Sequence, residues 1–139
     1  MTLQDALSFL AAEPARTGKL ALVRADGAPI VVPIWFVVDG EELLFNTGVD
    51  SVKGRILRRD PRVALCADDE RPPFAFVSLQ GTATLSQDPD ELREWATTIG
   101  GRYMGADRAA EFGARNGVEG ELLVRVRIER VLGETGISG

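Results

Sequence analysis

The sequence predicts a mainly β fold of the α+β class, an antiparallel barrel with a few short helices at its periphery. Two observations carry this expectation. Runs of β-branched and aromatic residues follow one another across the tight turns Ala25-Asp26-Gly27 and Asp39-Gly40, and aspartate-glycine pairs in that setting are strong hairpin signals. The remaining segments are three or four small helices set between meandering strands. The strand-helix alternation of a doubly wound sheet is missing, and neither GxGxxG nor GxxxxGKS/T occurs, so dinucleotide-binding and P-loop readings fail.

Each element has a local reason. Residues 2–11 read as a helix because Leu3, Leu7 and Leu10, with Ala6 and Ala11, recur at helical spacing, and Thr2 with Asp5 resembles a capping box. Pro14 and Gly18 end it. Strands are expected at 19–24, 29–38 and 41–46. A short helix then starts behind Asp50 and Ser51, both good N-caps, and closes at Pro61, because Asp60 before a proline is pushed out of the α region. Strands at 62–67 and 74–85 follow, parted by the polar connector Asp68-Asp69-Glu70-Arg71-Pro72-Pro73. Asp88-Pro89-Asp90-Glu91 opens a helix with aspartate at the cap, proline first and acids in the first turn. Leu92, Trp95, Ala96 and Ile99 form its apolar face, and Gly100-Gly101 is expected to break it. A further helix over 106–115 stops at Asn116-Gly117. The last strand, 121–132, alternates, with Leu122, Val124, Val126 and Ile128 facing one way and Leu123, Arg125, Arg127 and Glu129 the other.

Composition narrows the function. With 139 residues, 45% of them apolar and 27% charged, the chain is expected to form one soluble globular domain over 1–139. No apolar run approaches the roughly 18–20 residues that span a bilayer, and the first residues lack the basic start and apolar block of a signal peptide. The lone Cys66 rules out an intramolecular disulfide and fits a reducing cytoplasm; on its strand it reads as a small buried hydrophobe. A net charge of −5 argues against nucleic acid as the main partner. There is no histidine. Zinc sites of the usual kind, histidine-ligated haem, and Ser-His-Asp or Cys-His catalysis are thereby excluded within one chain. Acid–base chemistry is left to carboxylates, Tyr103, a lysine or a bound cofactor, and a cofactor is the expected carrier of any redox step.

The helix behind Ser51 is the most informative segment. A helix start offers free N–H groups and a positive dipole end. Ser51, Lys53 and Arg55 surround it with a hydroxyl and two cations. On a helical wheel Lys53 falls inside the apolar arc of Val52, Ile56 and Leu57, whereas Arg58 falls opposite. Two readings fit equally: a phosphate partners the inward lysine, or the lysine snorkels from a capped surface helix. Gly54 inside this helix costs about 1 kcal/mol against alanine, which points to close approach of a ligand or a neighbouring strand.

Four stretches bear on the family: Pro33-Ile34-Trp35-Phe36, Phe45-Asn46-Thr47, Ser51-Val52-Lys53-Gly54-Arg55-Ile56-Leu57-Arg58-Arg59-Asp60-Pro61-Arg62-Val63, and Gly101-Arg102-Tyr103-Met104-Gly105. Together, over about residues 19–132, they resemble the split β-barrel flavin-reductase superfamily that includes pyridoxamine 5′-phosphate oxidase. Within it they are most similar to the actinobacterial branch that uses the deazaflavin coenzyme F420. The resemblance implies a homodimer with cofactor sites at the subunit interface. It implies that Ser51, Lys53 and Arg55 hold the cofactor phosphate, that Asn46 and Thr47 lie along the cofactor, and that Pro33, Ile34 and Trp35 lie along the ring, largely through their backbone. Gln80 and Tyr103 are the candidates contributed by the second subunit, and Tyr103 is the candidate proton donor. Arg55, Arg58 and Arg59 offer cations for the polyglutamate tail of F420. The histidine and arginine substrate signature of true pyridoxamine phosphate oxidases near the C-terminus is absent, which argues against a vitamin B6 substrate.

The resulting expectation is an oxidoreductase that passes a hydride from reduced F420 to an electron-poor small molecule. An FMN-dependent oxidoreductase of the same fold and a non-catalytic F420 or flavin carrier are the alternatives. Of the aromatic residues, Phe36 is expected in the core, Trp35 is evenly divided between core and site, Trp95 is packing, and Tyr103 leans towards a structural plug. Arg125 and Arg127 are expected to be solvated or paired.

Overall fold

The computed structural model describes residues 1–139. Helix α1 spans Leu3–Ala11, with Thr2 and Asp5 exchanging the two bonds of a capping box. Strands β1 (Gly18–Val23), β2 (Pro29–Ile34), β3 (Val37–Asp39) and β4 (Glu42–Gly48) follow, then α2 (Val52–Arg59), β5 (Arg62–Asp69) and β6 (Ala75–Ser86). Helix α3 (Pro89–Met104), a 3-10 turn (Ala106–Arg108) and α4 (Ala109–Asn116) precede the last strand, β7 (Glu121–Glu134).

The seven strands form one sheet in the order β2-β1-β5-β6-β7-β4-β3, with every pairing antiparallel. The expected barrel is corrected here: no ladder joins β2 to β3, so the sheet stays open. The expected strand over 29–38 is corrected with it, since it divides at Trp35-Phe36 into two pieces that lie at opposite edges. Proline supplies a physical reason. Pro29 and Pro33 share parity on β2, so the two missing N–H groups fall on the same side of the strand, and a strand short of donors belongs at an edge. Only two residues separate the edge strands, so the sheet coils until its edges meet at that corner without bonding.

Coiling lets every strand contribute to one core. Leu20, Ile34, Leu43, Phe45, Leu65, Leu79 and Val124 belong to a single buried cluster with Ala6 and Leu10 of α1 and Ile56 and Leu57 of α2. Phe36 joins it, as expected. The other face of β3, β4 and β7 is covered by α3, where Leu92 and Ile99 pack on Val37, Leu44 and Leu123, with Trp95 and Tyr103 at the margin. Leu123 is therefore buried on the face that the sequence pattern assigns to polar residues.

Gly100-Gly101 does not break α3, which runs on to Met104 and ends before Gly105 at φ +101°. A Cβ on Gly100 would lie 2.3 Å from Cβ of Phe112, so the glycine lets α4 pack tightly against α3. Arg125 is paired with Asp39 at 3.0 Å and Glu42 at 3.2 Å. Cys66 is not in the core; it is half-buried on the outer face of β5, between Lys19 and Ser78 in register. No helix is long and apolar enough to cross a membrane.

Candidate cofactor site

The turn from β4 into α2 is built by hydroxyls. Ser51 caps α2: its Oγ accepts from Gly54 N–H at 3.0 Å and donates to the Gly48 carbonyl at 2.7 Å. Thr47 Oγ1 lies 3.0 Å from Ser51 Oγ. With the Ser51 proton spent on Gly48, the Thr47 hydroxyl is the donor of that pair, and Ser51 has no valence left. Of the first-turn N–H groups, those of Gly54 and Arg55 are already taken by Ser51, which leaves those of Val52 and Lys53. A Cβ on Gly54 would fall 2.1 Å from the Gly48 carbonyl oxygen. The close approach that this glycine signals is therefore the chain's own turn.

A cavity of about 250 Å³ opens beside this turn, lined by Ile34, Trp35, Asn46, Thr47, Lys53, Asn116 and Glu121. Lys53 is half-buried and has no ion-pair partner. Asn46 Nδ2 donates to Glu121 Oε1 at 3.1 Å and to the Asn116 carbonyl at 3.3 Å, tying the ends of β4, β7 and α4 together. Burial pushes the Glu121 carboxyl above its ordinary range, while the Asn46 bond and the Lys53 charge pull it back.

Trp35 walls the cavity from the corner between the sheet edges. Its ring stacks on Tyr103 with centroids 5.2 Å apart and planes 3° from parallel, and Phe112 meets it edge-on at 5.6 Å. The corner peptide is held by consecutive residues of α3. Tyr103 Oη accepts from Phe36 N–H at 3.2 Å and donates to the Arg16 carbonyl at 2.7 Å. Arg102 Nη1 donates to the Phe36 carbonyl at 2.7 Å, and its Nη2 to the Leu10 and Ala12 carbonyls at 2.7 and 3.4 Å. Burial pushes the Tyr103 phenol up, so it keeps the proton that it gives to Arg16.

The structure thus brings five of the expected residues, Ile34, Trp35, Asn46, Thr47 and Lys53, to one cavity, with Ser51 behind Thr47. The others lie elsewhere. Arg55 and Arg59 face a separate groove of about 310 Å³ with Arg24 and Val52, and Arg59 also bonds the Val23 carbonyl. Pro33 is exposed on edge strand β2. Gln80 is exposed on the outer face of β6, in register with Ala64 of β5. Tyr103 is behind Trp35. Asn116 and Glu121 were not among the expected residues. Their only sequence signals are a helix stop and the first position of the last strand, and neither indicates pairing with Asn46.

The cavity fits part of a phosphorylated planar cofactor. It offers an unpaired cation beside a capped helix start and an aromatic wall, and carries no side-chain set for independent catalysis. Its volume is below the ~300–1,000 Å³ usual for ligand pockets, so one chain encloses only a portion of such a ligand.

The sequence matches the model of the pyridoxamine 5′-phosphate oxidase family over residues 5–133. No curated protein matches the chain in sequence. Among solved structures, a conserved hypothetical protein from Mycobacterium tuberculosis superposes with a TM-score of 0.83 at 25% identity, over 99% of this chain and 87% of its own. A protein named F420 reductase is 27% identical, with a TM-score of 0.71 over 90% of this chain and 94% of its own. An FAD-binding protein from Mesorhizobium loti shares the fold at 22% identity, with a TM-score of 0.72 over 96% of this chain and 94% of its own.

Proposed function

The chain belongs to the pyridoxamine 5′-phosphate oxidase family, and from that premise we propose that it is an oxidoreductase using reduced F420 to reduce an electron-poor organic small molecule. The observation that carries the reading is the half-buried, unpaired Lys53 set in one cavity with the Trp35 wall. The choice of F420 is supported by the likeness to the protein named F420 reductase.

When bound, the deazaflavin supplies the hydride. This chain's residues bind and orient. Lys53 neutralises the phosphate, Thr47 and Asn46 shape the wall beside it, and Ser51 fixes the start of α2. Ile34 and Trp35 lie along the ring and keep water from it. Tyr103 is a positioning residue here, because its proton is committed to Arg16. The proton that completes reduction comes from solvent. Arg24, Arg55 and Arg59 line a basic groove on another side of α2, suited to the carboxylates of a polyglutamate tail. Titration of F420 and FMN, followed by fluorescence, tests the cofactor. F420 is expected to bind more tightly; tight FMN binding without an F420 response would reverse the choice in favour of an FMN enzyme of the same fold. Binding of F420 without turnover against quinones, nitro compounds and enones would mark a carrier.

The same reading includes a homodimer. The outer face of β2, β1, β5 and β6 is uncovered and leaves Val31 66% exposed and Leu132, at its β7 margin, 65% exposed. Small residues Ala21 and Ala64 lie between Val31 and Gln80 in register, making a shallow apolar floor. A second copy seated there buries this floor and brings Gln80 to the subunit boundary. Light scattering at micromolar concentration is expected to report a dimer; a monomer alone would sink the two-chain site.

A further inference from the structure

Glu121 shares the cavity with Lys53. It pairs with Gly48 across the β4–β7 ladder, and its Oε2 lies 3.3 Å from where a Cβ on that glycine would be, so the carboxylate stands over the turn that leads into α2. Its one hydrogen bond comes from Asn46. Within this cavity the side chains facing it are Asn46 from β4, Asn116 from the end of α4 and Lys53 from α2, of which only Lys53 is charged; on its other side Glu121 borders a second cavity with Gln87 and the acidic Glu119. Of the other cations of α2, Arg55 and Arg59 open onto the groove with Arg24, and Arg58 bonds the Val49 carbonyl and lies 3.7 Å from Asp50. The cavity therefore carries one positive and one negative side chain.

That balance decides which anions it takes. The cost of removing an ion from water rises steeply with its charge, and only an opposing field offsets it. A phosphodiester brings one charge. A phosphomonoester brings about −1.5 to −2 at neutral pH, and the additional charge meets Glu121 as well as Lys53. We propose that Glu121 is a specificity-determining residue that makes the Lys53 cavity select a singly charged phosphodiester over a phosphomonoester. The inference rests on the reading of this cavity as an anion site. Because the selection needs the carboxylate ionised, it is present above the raised Glu121 value and is lost as pH falls through it.

Two ligands that differ in this charge and otherwise by one methyl group provide the test: FMN, and riboflavin 5′-methyl phosphate, its methyl diester. Dissociation constants are measured at pH 8 by flavin fluorescence with the full chain. The wild type is expected to bind the diester about tenfold more tightly than FMN. Glu121→Gln, which keeps an acceptor for Asn46, should tighten both ligands and FMN the more, shrinking the preference to about twofold. Glu121→Asp keeps the charge and should keep the preference, which guards against a general loss of structure. An equal preference in wild type and Glu121→Gln overturns the role of Glu121 and leaves the anion site standing. Failure of the wild type to bind F420 and both esters alike, or equal diester affinity in Lys53→Ala, overturns the anion site and the inference with it.

Discussion

Replacing Arg102 with methionine is expected to destabilise the fold by about 2–4 kcal/mol, a fall in Tm of about 8–16 °C for a chain of this size. The Arg102 side chain is 9% exposed and donates to three carbonyls, those of Phe36, Leu10 and Ala12. Those oxygens sit where regular structure ends, at the corner between the sheet edges and at the C-terminus of α1. Methionine fills the volume but leaves them without a donor, and each strong bond to a charged group is worth about 1.5–3 kcal/mol. Recovering the desolvation of the guanidinium offsets part of the loss. Glu13 Oε1 stands 3.9 Å from Arg102 Nε, which has no hydrogen-bond partner, so the carbonyls and not an ion pair hold the side chain. Tyr103→Phe removes the acceptor for Phe36 N–H and should cost about 1–2 kcal/mol. Because both residues act on one peptide, the double variant should lose less than the sum. Urea unfolding checks all three. A value for Arg102→Met within about 0.5 kcal/mol of wild type would mean that the strands alone hold the corner.

That clamp also shows what sequence reasoning reaches. The capping box at Thr2, the caps at Ser51 and Asp88 and the turns at Gly27 and Gly40 are local chemistry and all are present, but α3 runs on through Gly100-Gly101 and the strand between the two turns divides. The division at Trp35-Phe36 is not local. It depends on β2 and β3 lying at opposite edges of the sheet, and on residues nearly seventy positions away that satisfy the Phe36 peptide. The Gly101-Arg102-Tyr103-Met104-Gly105 signature was visible, yet its purpose became clear only once α3 was laid against the corner. Candidate site residues divide in the same way. The half-buried placement of Lys53 was legible, because one helical wheel puts it beside Ile56 and Leu57. Glu121 was not, because its place in the cavity follows from the β4–β7 register. Arg55 and Arg59 looked like companions of Lys53 in sequence, but the helix turns them onto another groove.

Lys53→Ala is expected to weaken F420 binding about tenfold to a hundredfold while leaving the fold intact. The lysine is the only cation lining the cavity, and it has no ion-pair partner. An entering phosphate therefore gains a charge-assisted hydrogen bond without displacing an existing one, worth roughly 1.5–3 kcal/mol. Partial exposure and salt screening place the expected loss towards the lower end in physiological buffer and towards the upper end at low ionic strength. Stability should hardly change, since the side chain is half-buried and unpaired, and removing it relieves nothing that the core depends on. Arg58→Ala is the control. Its guanidinium is exposed, bonds the Val49 carbonyl at 3.0 Å and lies 3.7 Å from Asp50, so it trims the same helix without touching the cavity. It should cost less than about threefold. Fluorescence titration at two salt concentrations measures both variants. A Lys53→Ala protein that binds F420 as tightly as wild type would show that the phosphate lies elsewhere, and that Lys53 is a surface lysine reaching past Val52 to water.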